Sequence, residues 1–263
     1  MLRAGAAAKA RRAGLCCANM HASQRGRQAC ARAAVSLAVA ASAAGCTGRR
    51  LTVPLMPPFL ASPAASVLWS EPFDALNPEW WREMEVRGHT QYEVVTLDGR
   101  SCLRATSHQA ASILLAPVQF DPDTHEWLSW DWRVDRLVER EALERKDGSD
   151  AAARVYVYFE SAGLPWQKRN LDYVWSASLP VGTVLTSAYS SSSKILVVES
   201  GPASLGQWRT VERNLEDDYE RGFGKAGLRD VIAIGLMSDT DNTGGDALAY
   251  FDELRVSRRP RAP

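Results

Sequence analysis

Cysteine is nearly absent from the body of this chain. Four of its five cysteines (Cys16, Cys17, Cys30 and Cys46) fall in the first 46 residues, and only Cys102 lies beyond them. One thiol excludes an internal disulfide from the remainder. Cys102 adjoins Leu103 in a short strand-like run, so it is expected as a buried small hydrophobe rather than a nucleophile. Histidine is also scarce. His89, His108 and His125 lie in separate segments without metal-ligand spacing. There is no G-x-S-x-G, no P-loop and no H-E-x-x-H. Ser191-Ser192-Ser193-Lys194 fits S-x-x-K, but it precedes a strand pattern and lacks the partner S-D-N and K-T-G motifs. Paired carboxylates for glycoside hydrolysis leave no local spacing, so that chemistry stays open. Long apolar runs are missing too. The longest, AAVSLAVAASAAG (Ala33–Gly45), is too short and alanine-rich to span a bilayer.

Acidic residues are absent from residues 1–50, which carry nine Lys and Arg; the remainder holds 22 basic and 31 acidic side chains. A mildly acidic body argues against nucleic acid as a partner. Arg25, Arg27 and Arg32 precede the apolar run, and small residues follow it. That is the order of a secretory signal. Ala43-Ala44-Gly45-Cys46 resembles the bacterial lipobox, in which the cysteine carries the lipid. Alanine at 43, where leucine is commoner, leaves cleavage at an A-x-A-like site as the alternative. Met20 opens a leader of more ordinary length and is the expected start. The expected address is the periplasm or the outer membrane, as an exported lipoprotein touching the membrane only through its N-terminal lipid. Residues 47–66 hold four prolines and read as a tether. Leu55, Met56, Phe59 and Leu60 would suit an ordered arm instead.

From Val67 onward, period-two runs recur between turn signals. They include VLWSEPF, QYEVVTL, SCLRATS, ASILLAPVQF, EWLSWDWRVDR, ARVYVYFE, LDYVWSA, KILVVES, WRTVERNL, VIAIGLMS and ALAYFDELRV. Asp98-Gly99 between the second and third is a type I′ hairpin signal. Leu128, Trp130, Trp132 and Val134 share one face of their strand, and Val155, Val157 and Phe159 share one face of theirs. Helical patterns are few. LVEREALERKDG reads as a polar surface loop or short helix, and DDYERGFG as a short helix stopped by glycine. The expected fold is all-β: a two-sheet antiparallel β-sandwich, jelly-roll-like, over residues 67–257, with one or two short helices and a tail at 258–263.

WLSWDWRVDR, DAAARVYVYFE, LDYVWSASLPVGT, VVESG, LGQWRTVERNLEDDY and DTDNTGGDALAYFDEL resemble, in that order, the bacterial domain-of-unknown-function family 3047. The resemblance covers Val67 to Val256. It implies a secreted or periplasmic protein and supplies no reaction. The strand pattern is more loosely similar to galactose-binding-like jelly rolls, which include many carbohydrate-binding modules.

Three groups are candidate sites. Asp239, Asp241 and Asn242 in DTDNTGG fail the EF-hand pattern, because Thr243 and Tyr250 replace needed ligands and strands flank the loop. A strand–loop–strand turn, the rim of a ligand site, or a non-EF calcium site remain. Glu71, Asp74 and Asp252, near the first and last strands, are candidate oxygen ligands for one structural calcium, the only cofactor expected. Asp131, Arg133, Arg154, Tyr156, Tyr158, Tyr173 and Trp175 would form one polar aromatic sheet face, on which a glycan stacks and hydrogen-bonds. The expected function is therefore a non-catalytic glycan-binding module of the envelope. A carbohydrate-active hydrolase or lyase using Asp131, Asp172 or Glu199, and a structural protein that binds another protein, are the alternatives.

Overall fold

The computed structural model describes residues 66–161, 168–225 and 227–261. The leader, the tether and Cys46 lie outside these residues. Among the described residues, thirteen strands and one helix are formed: β1 (Val67–Glu71), β2 (Arg82–Arg87), β3 (Gln91–Leu97), β4 (Arg100–His108), β5 (Ala111–Ala116), β6 (Trp127–Arg136), β7 (Ala153–Phe159), β8 (Asn170–Ser176), β9 (Val184–Thr186), β10 (Ser193–Ser200), β11 (Arg209–Asn214), α1 (Leu215–Phe223), β12 (Val231–Asp239) and β13 (Asp246–Ser257). They make two sheets. Sheet A runs β11-β6-β13-β4-β3, with β1 also paired to β13. Sheet B runs β2-β5-β12-β7-β8-β10-β9. All pairings are antiparallel except β8 with β10. The chain is a two-sheet jelly-roll-like sandwich, as its alternating pattern predicts.

The sandwich core follows from alternation. Leu128, Trp130, Trp132 and Val134 of β6 point inward from sheet A, and Leu171, Tyr173 and Trp175 of β8 point inward from sheet B. Their rings meet across the sheets. Trp130 lies 5.3 Å from Tyr173 and Trp132 lies 5.8 Å from Trp175, centroid to centroid. Each buried ring contributes roughly 4–6 kcal/mol gross. Set against this, Trp130 Nε1, Trp132 Nε1 and Tyr173 Oη lack hydrogen-bond partners. Each such group costs about 1–3 kcal/mol.

Asp98 and Gly99 take φ of 55° and 79°, the left-handed pair that a type I′ turn needs, and join β3 to β4. Helix α1 begins at its N-cap Asn214, whose side chain accepts from Asp217 N, and stops at Gly224 (φ 81°). β2 and β9 are absent from the sequence reading. In β2, Met84 and Val86 alternate with Arg82, Glu83, Glu85 and Arg87, so charge hides the strand. β9 has three residues, too few for a period. The segment 137–152 forms turns rather than a helix, and it is not simply polar. Leu143 and Ala151 are fully buried with Val174, Ile195 and Val197, so the segment covers part of the outer face of sheet B.

Candidate ligand-binding face

The outer face of sheet A carries a row of polar and aromatic side chains. Because Leu128 and Trp130 point inward, Trp127, Ser129, Asp131, Arg133 and Asp135 point outward. Pairing adds neighbours. Ser129 stands between Glu212 of β11 and Arg255 of β13, and Asp131 stands between Thr210 and Asp252. Arg100 bridges the two carboxylates, Nη2 to Asp131 Oδ2 at 2.6 Å and Nε to Asp252. Its guanidinium lies 4.2 Å from the centroid of Trp208, whose ring is 6.5 Å from Tyr250. Asp131 also accepts from Thr210 Oγ1 at 2.7 Å. Arg133 pairs with Asp135 (2.6 Å) and Asp98 (2.9 Å). At the β6 start, a cleft of about 630 Å³ opens between Trp127, Glu212, Asn214, Asp217, Glu220 and Arg221, with Arg213 and Asp218 in its wall. Arg213 holds Asp218 with both Nε (2.7 Å) and Nη2 (2.5 Å). That fork leaves the half-buried Trp127 indole and the carboxylates of Asp217 and Glu220 as the groups facing an incoming ligand, while Glu212 already accepts the backbone N–H of Arg261.

The outer face of sheet B is closed by comparison. Arg154 is 2% exposed and makes three bonds: Nη1 to Asp172 Oδ2 (2.5 Å), Nε to Asp239 Oδ1 (2.7 Å) and Nη2 to Ser149 O (2.9 Å). Tyr156 and Tyr158 stack beside it, centroids 5.6 Å apart, and Tyr156 packs with Met84, Ile113, Leu115 and Met237. Asp239 opens the DTDNTGG loop. That loop connects β12 of sheet B to β13 of sheet A, so it is an inter-sheet crossing rather than a hairpin. Asp150, from the covering segment, accepts from Asn242 N and Nδ2 and from Thr243 N. Asp150, Asp239 and Asp241 bring carboxylate oxygens within 4.8 Å of one another. Most of this capacity already faces N–H donors: Asp150 clamps the loop, and Asp239 takes Ala151 N and Arg154. Burial pushes the Asp239 carboxyl up to about 7; the Arg154 charge opposes this and the Asp150 charge adds to it.

The model of the family described as "Protein of unknown function (DUF3047)" matches residues 79–255. The chain belongs to the DUF3047 family. A search of curated proteins gives no match. Among solved structures, this DUF3047 chain is similar to a family 30 carbohydrate-binding module of a cellulosomal cellulase of Clostridium thermocellum. Identity is 11%, TM-score 0.42, and coverage 74% of this chain and 100% of that one. It is similar to the CBM22-1 xylan-binding domain of Paenibacillus barcinonensis Xyn10C (14%, TM-score 0.37, 74% and 96%). It is also similar to the xyloglucanase domain of NopAA from Sinorhizobium fredii (9%, TM-score 0.40, 73% and 98%). At these scores the likeness carries no functional argument.

The single polar face expected from the DUF3047 sequence is divided in the structure. Asp131 and Arg133 lie on sheet A; Arg154, Tyr156 and Tyr158 lie on the outer side of sheet B. Tyr173 and Trp175 lie on neither, because both are fully buried between the sheets. β8 is buried on both sides, so alternation alone does not say which side is the core. Arg154 is joined to Asp239, while Asp241 and Asn242 follow in the loop. Glu71, Asp74 and Asp252 do not converge. Glu71 spends its oxygens on Phe73 N and Trp81 Nε1, Asp252 holds Arg100, and Asp74 is exposed. A guanidinium thus stands where a calcium was expected. Cys102 is buried as expected, its thiol pushed up to about 11 by burial. Sequence reasoning missed Trp127, Glu212, Asp217, Glu220 and Trp208 as site residues, and Asp150 as the partner of the acid loop. Trp127 was legible as an outward residue of β6, but its cleft needs β11 and α1 beside it.

Proposed function

We propose that this DUF3047 chain is an exported glycan-binding module whose site is the Trp127 cleft on the outer edge of sheet A. One observation carries the reading: a half-buried indole opens into a cleft of about 630 Å³ ringed by Asn214, Asp217, Glu212, Glu220 and Arg221. A sugar presents C–H patches to an aromatic face and hydroxyls to planar amide, carboxylate and guanidinium groups. The carboxylates proposed for catalysis favour binding over hydrolysis. Asp131 is held by Arg100, Asp172 by Arg154 and Glu199 by Arg209 at 2.9 Å, so each is pinned as an ion-pair partner. General acid catalysis needs a carboxyl kept protonated beside a second, free carboxylate. Export rests on the basic leader, its apolar run and Cys46.

The test is a binding screen of the protein against a panel of envelope and plant glycans, followed by titration of any hit. Trp127→Ala is expected to weaken binding at least tenfold, an interaction loss of about 1.4 kcal/mol or more, with the melting temperature little changed. Retained affinity in that variant rules out this cleft. Trp175→Ala is the contrasting control. It removes a core ring at a cost of about 3–5 kcal/mol, so it impairs folding rather than recognition.

A further inference from the structure

The outer face of sheet A does not end at the Trp127 cleft. It continues along β6 and β11 to Trp208, six strand positions away or about 20 Å. Between the two indoles lie Ser129, Asp131, Glu212 and Arg255. These groups face outward, yet Ser129 is 2% exposed and Asp131 6%. The segment after β13 covers them. Arg258 N donates to Ser66 O (2.8 Å) and Ser257 Oγ to Arg259 O (2.6 Å), which turns the chain back over the sheet. Arg261 then donates its backbone N–H to Glu212 and its Nη1 to Asp131 Oδ1 (3.0 Å).

The covered floor is incompletely satisfied. Ser129 Oγ and Arg255 Nε, on paired positions of β6 and β13, have no hydrogen-bond partner. A buried donor or acceptor left in that state costs free energy that a ligand would recover. Arg261 supplies donors to the carboxylates but offers nothing to Arg255 Nε. Sugar hydroxyls both donate and accept, so a saccharide chain satisfies Asp131, Glu212, Ser129 and Arg255 together. A basic peptide would leave Arg255 unpaired, and an acidic ligand would meet Asp131 and Glu212.

We propose that Arg258–Arg261 is a displaceable strap that occupies the inner part of an extended saccharide trough, so that long glycan chains bind by exchanging with Arg261. This inference rests on the glycan reading of the Trp127 cleft and adds its regulation. A short glycan sits at the Trp127, Asn214, Asp217 and Glu220 end of the cleft and leaves the Arg261–Glu212 bond in place. A long one has to displace it, and part of its intrinsic affinity is spent on doing so.

The experiment compares the full chain, a chain stopped after Ser257, and Arg261→Ala. The stop keeps the β1–β13 pairing, which ends at Ser257. Disaccharide and hexasaccharide forms of a glycan that binds are titrated against each. Removing the strap is expected to tighten the hexasaccharide about tenfold, with Arg261→Ala giving a smaller gain in the same direction and the disaccharide unchanged. Equal affinities for the hexasaccharide across all three chains, or equal gains for both lengths, overturn the strap. Carboxyl footprinting without ligand supplies an independent arm. Labelling of Glu212 rises when the strap is removed; unchanged labelling also overturns the proposal. If no glycan binds any form, the glycan reading fails, and a rise in Glu212 labelling still shows a strap over this face.

Discussion

Arg154 is the residue on which two of the segments that carry the family resemblance meet. Asp172 comes from LDYVW and Asp239 from DTDN, and both end on one guanidinium. The sequence shows Arg154 on the polar side of β7 with Tyr156 and Tyr158. It does not show that this side is buried, because the covering segment 137–152 is charged along its length and hides Leu143 and Ala151. Asp239 gives a pH-dependent signature. Its folded carboxyl is raised to about 7 by burial, the Asp150 charge adding and the Arg154 charge opposing. The unfolded value is about 3.9. Between those values the folded chain binds more protons than the unfolded one, so stability from this group is full below about pH 4 and is lost as pH rises through about 7. Urea unfolding at pH 5 and pH 8 is expected to show a higher midpoint at pH 5. Asp239→Asn should flatten that difference. An unchanged difference in the variant places the titration elsewhere.

At the scale of elements, what has a local cause was legible. The Asp98-Gly99 hairpin, the glycine stop after α1 and the alternation of β6 and β7 each follow from a few adjacent residues. What depends on a distant partner was not: the three-residue β9, the inward direction of Tyr173 and Trp175, and the cleft between β6, β11 and α1. The segment 137–152 is the clearest case. Its shape turns on Gly148, where an added Cβ would sit 2.8 Å from Ala142 Cβ and 3.0 Å from Ala142 N. Ala142 N also donates to Gly148 O at 2.7 Å. Gly148→Ala forces that turn apart, next to Ser149 and Asp150, which hold Arg154 and the acid loop. The expected cost is about 1–3 kcal/mol in urea unfolding. A variant as stable as the parent would mean the segment accommodates the methyl group without strain.

At the scale of the molecule, composition and period were enough for the fold class, since strands between turn signals with one solvated side make a sandwich. They were not enough for the site. A site on a sheet is assembled by strand order, and β6, β7 and β8 look alike as sequences while belonging to different sheets. The address is a separate matter of the leader. On the lipoprotein reading, expression in a bacterium with a labelled fatty acid should tag the chain, and Cys46→Ser should remove the tag and move the protein from the membrane to the soluble fraction. A tag that survives the substitution excludes Cys46 as the lipid site.

The order of strands within each sheet also sets a schedule for the ribosome. β13 joins β6 to β4 in sheet A, and β12 joins β5 to β7 in sheet B. Until these two strands emerge, β3-β4, β6-β11, β2-β5 and β7-β8-β10-β9 are fragments with open edges. Both sheets therefore close only after nearly the whole domain has been synthesised, through contacts distant in sequence, which are slow to form. On the export reading, this late closure of both sheets keeps the nascent chain threadable, the condition a secretion channel requires of its cargo.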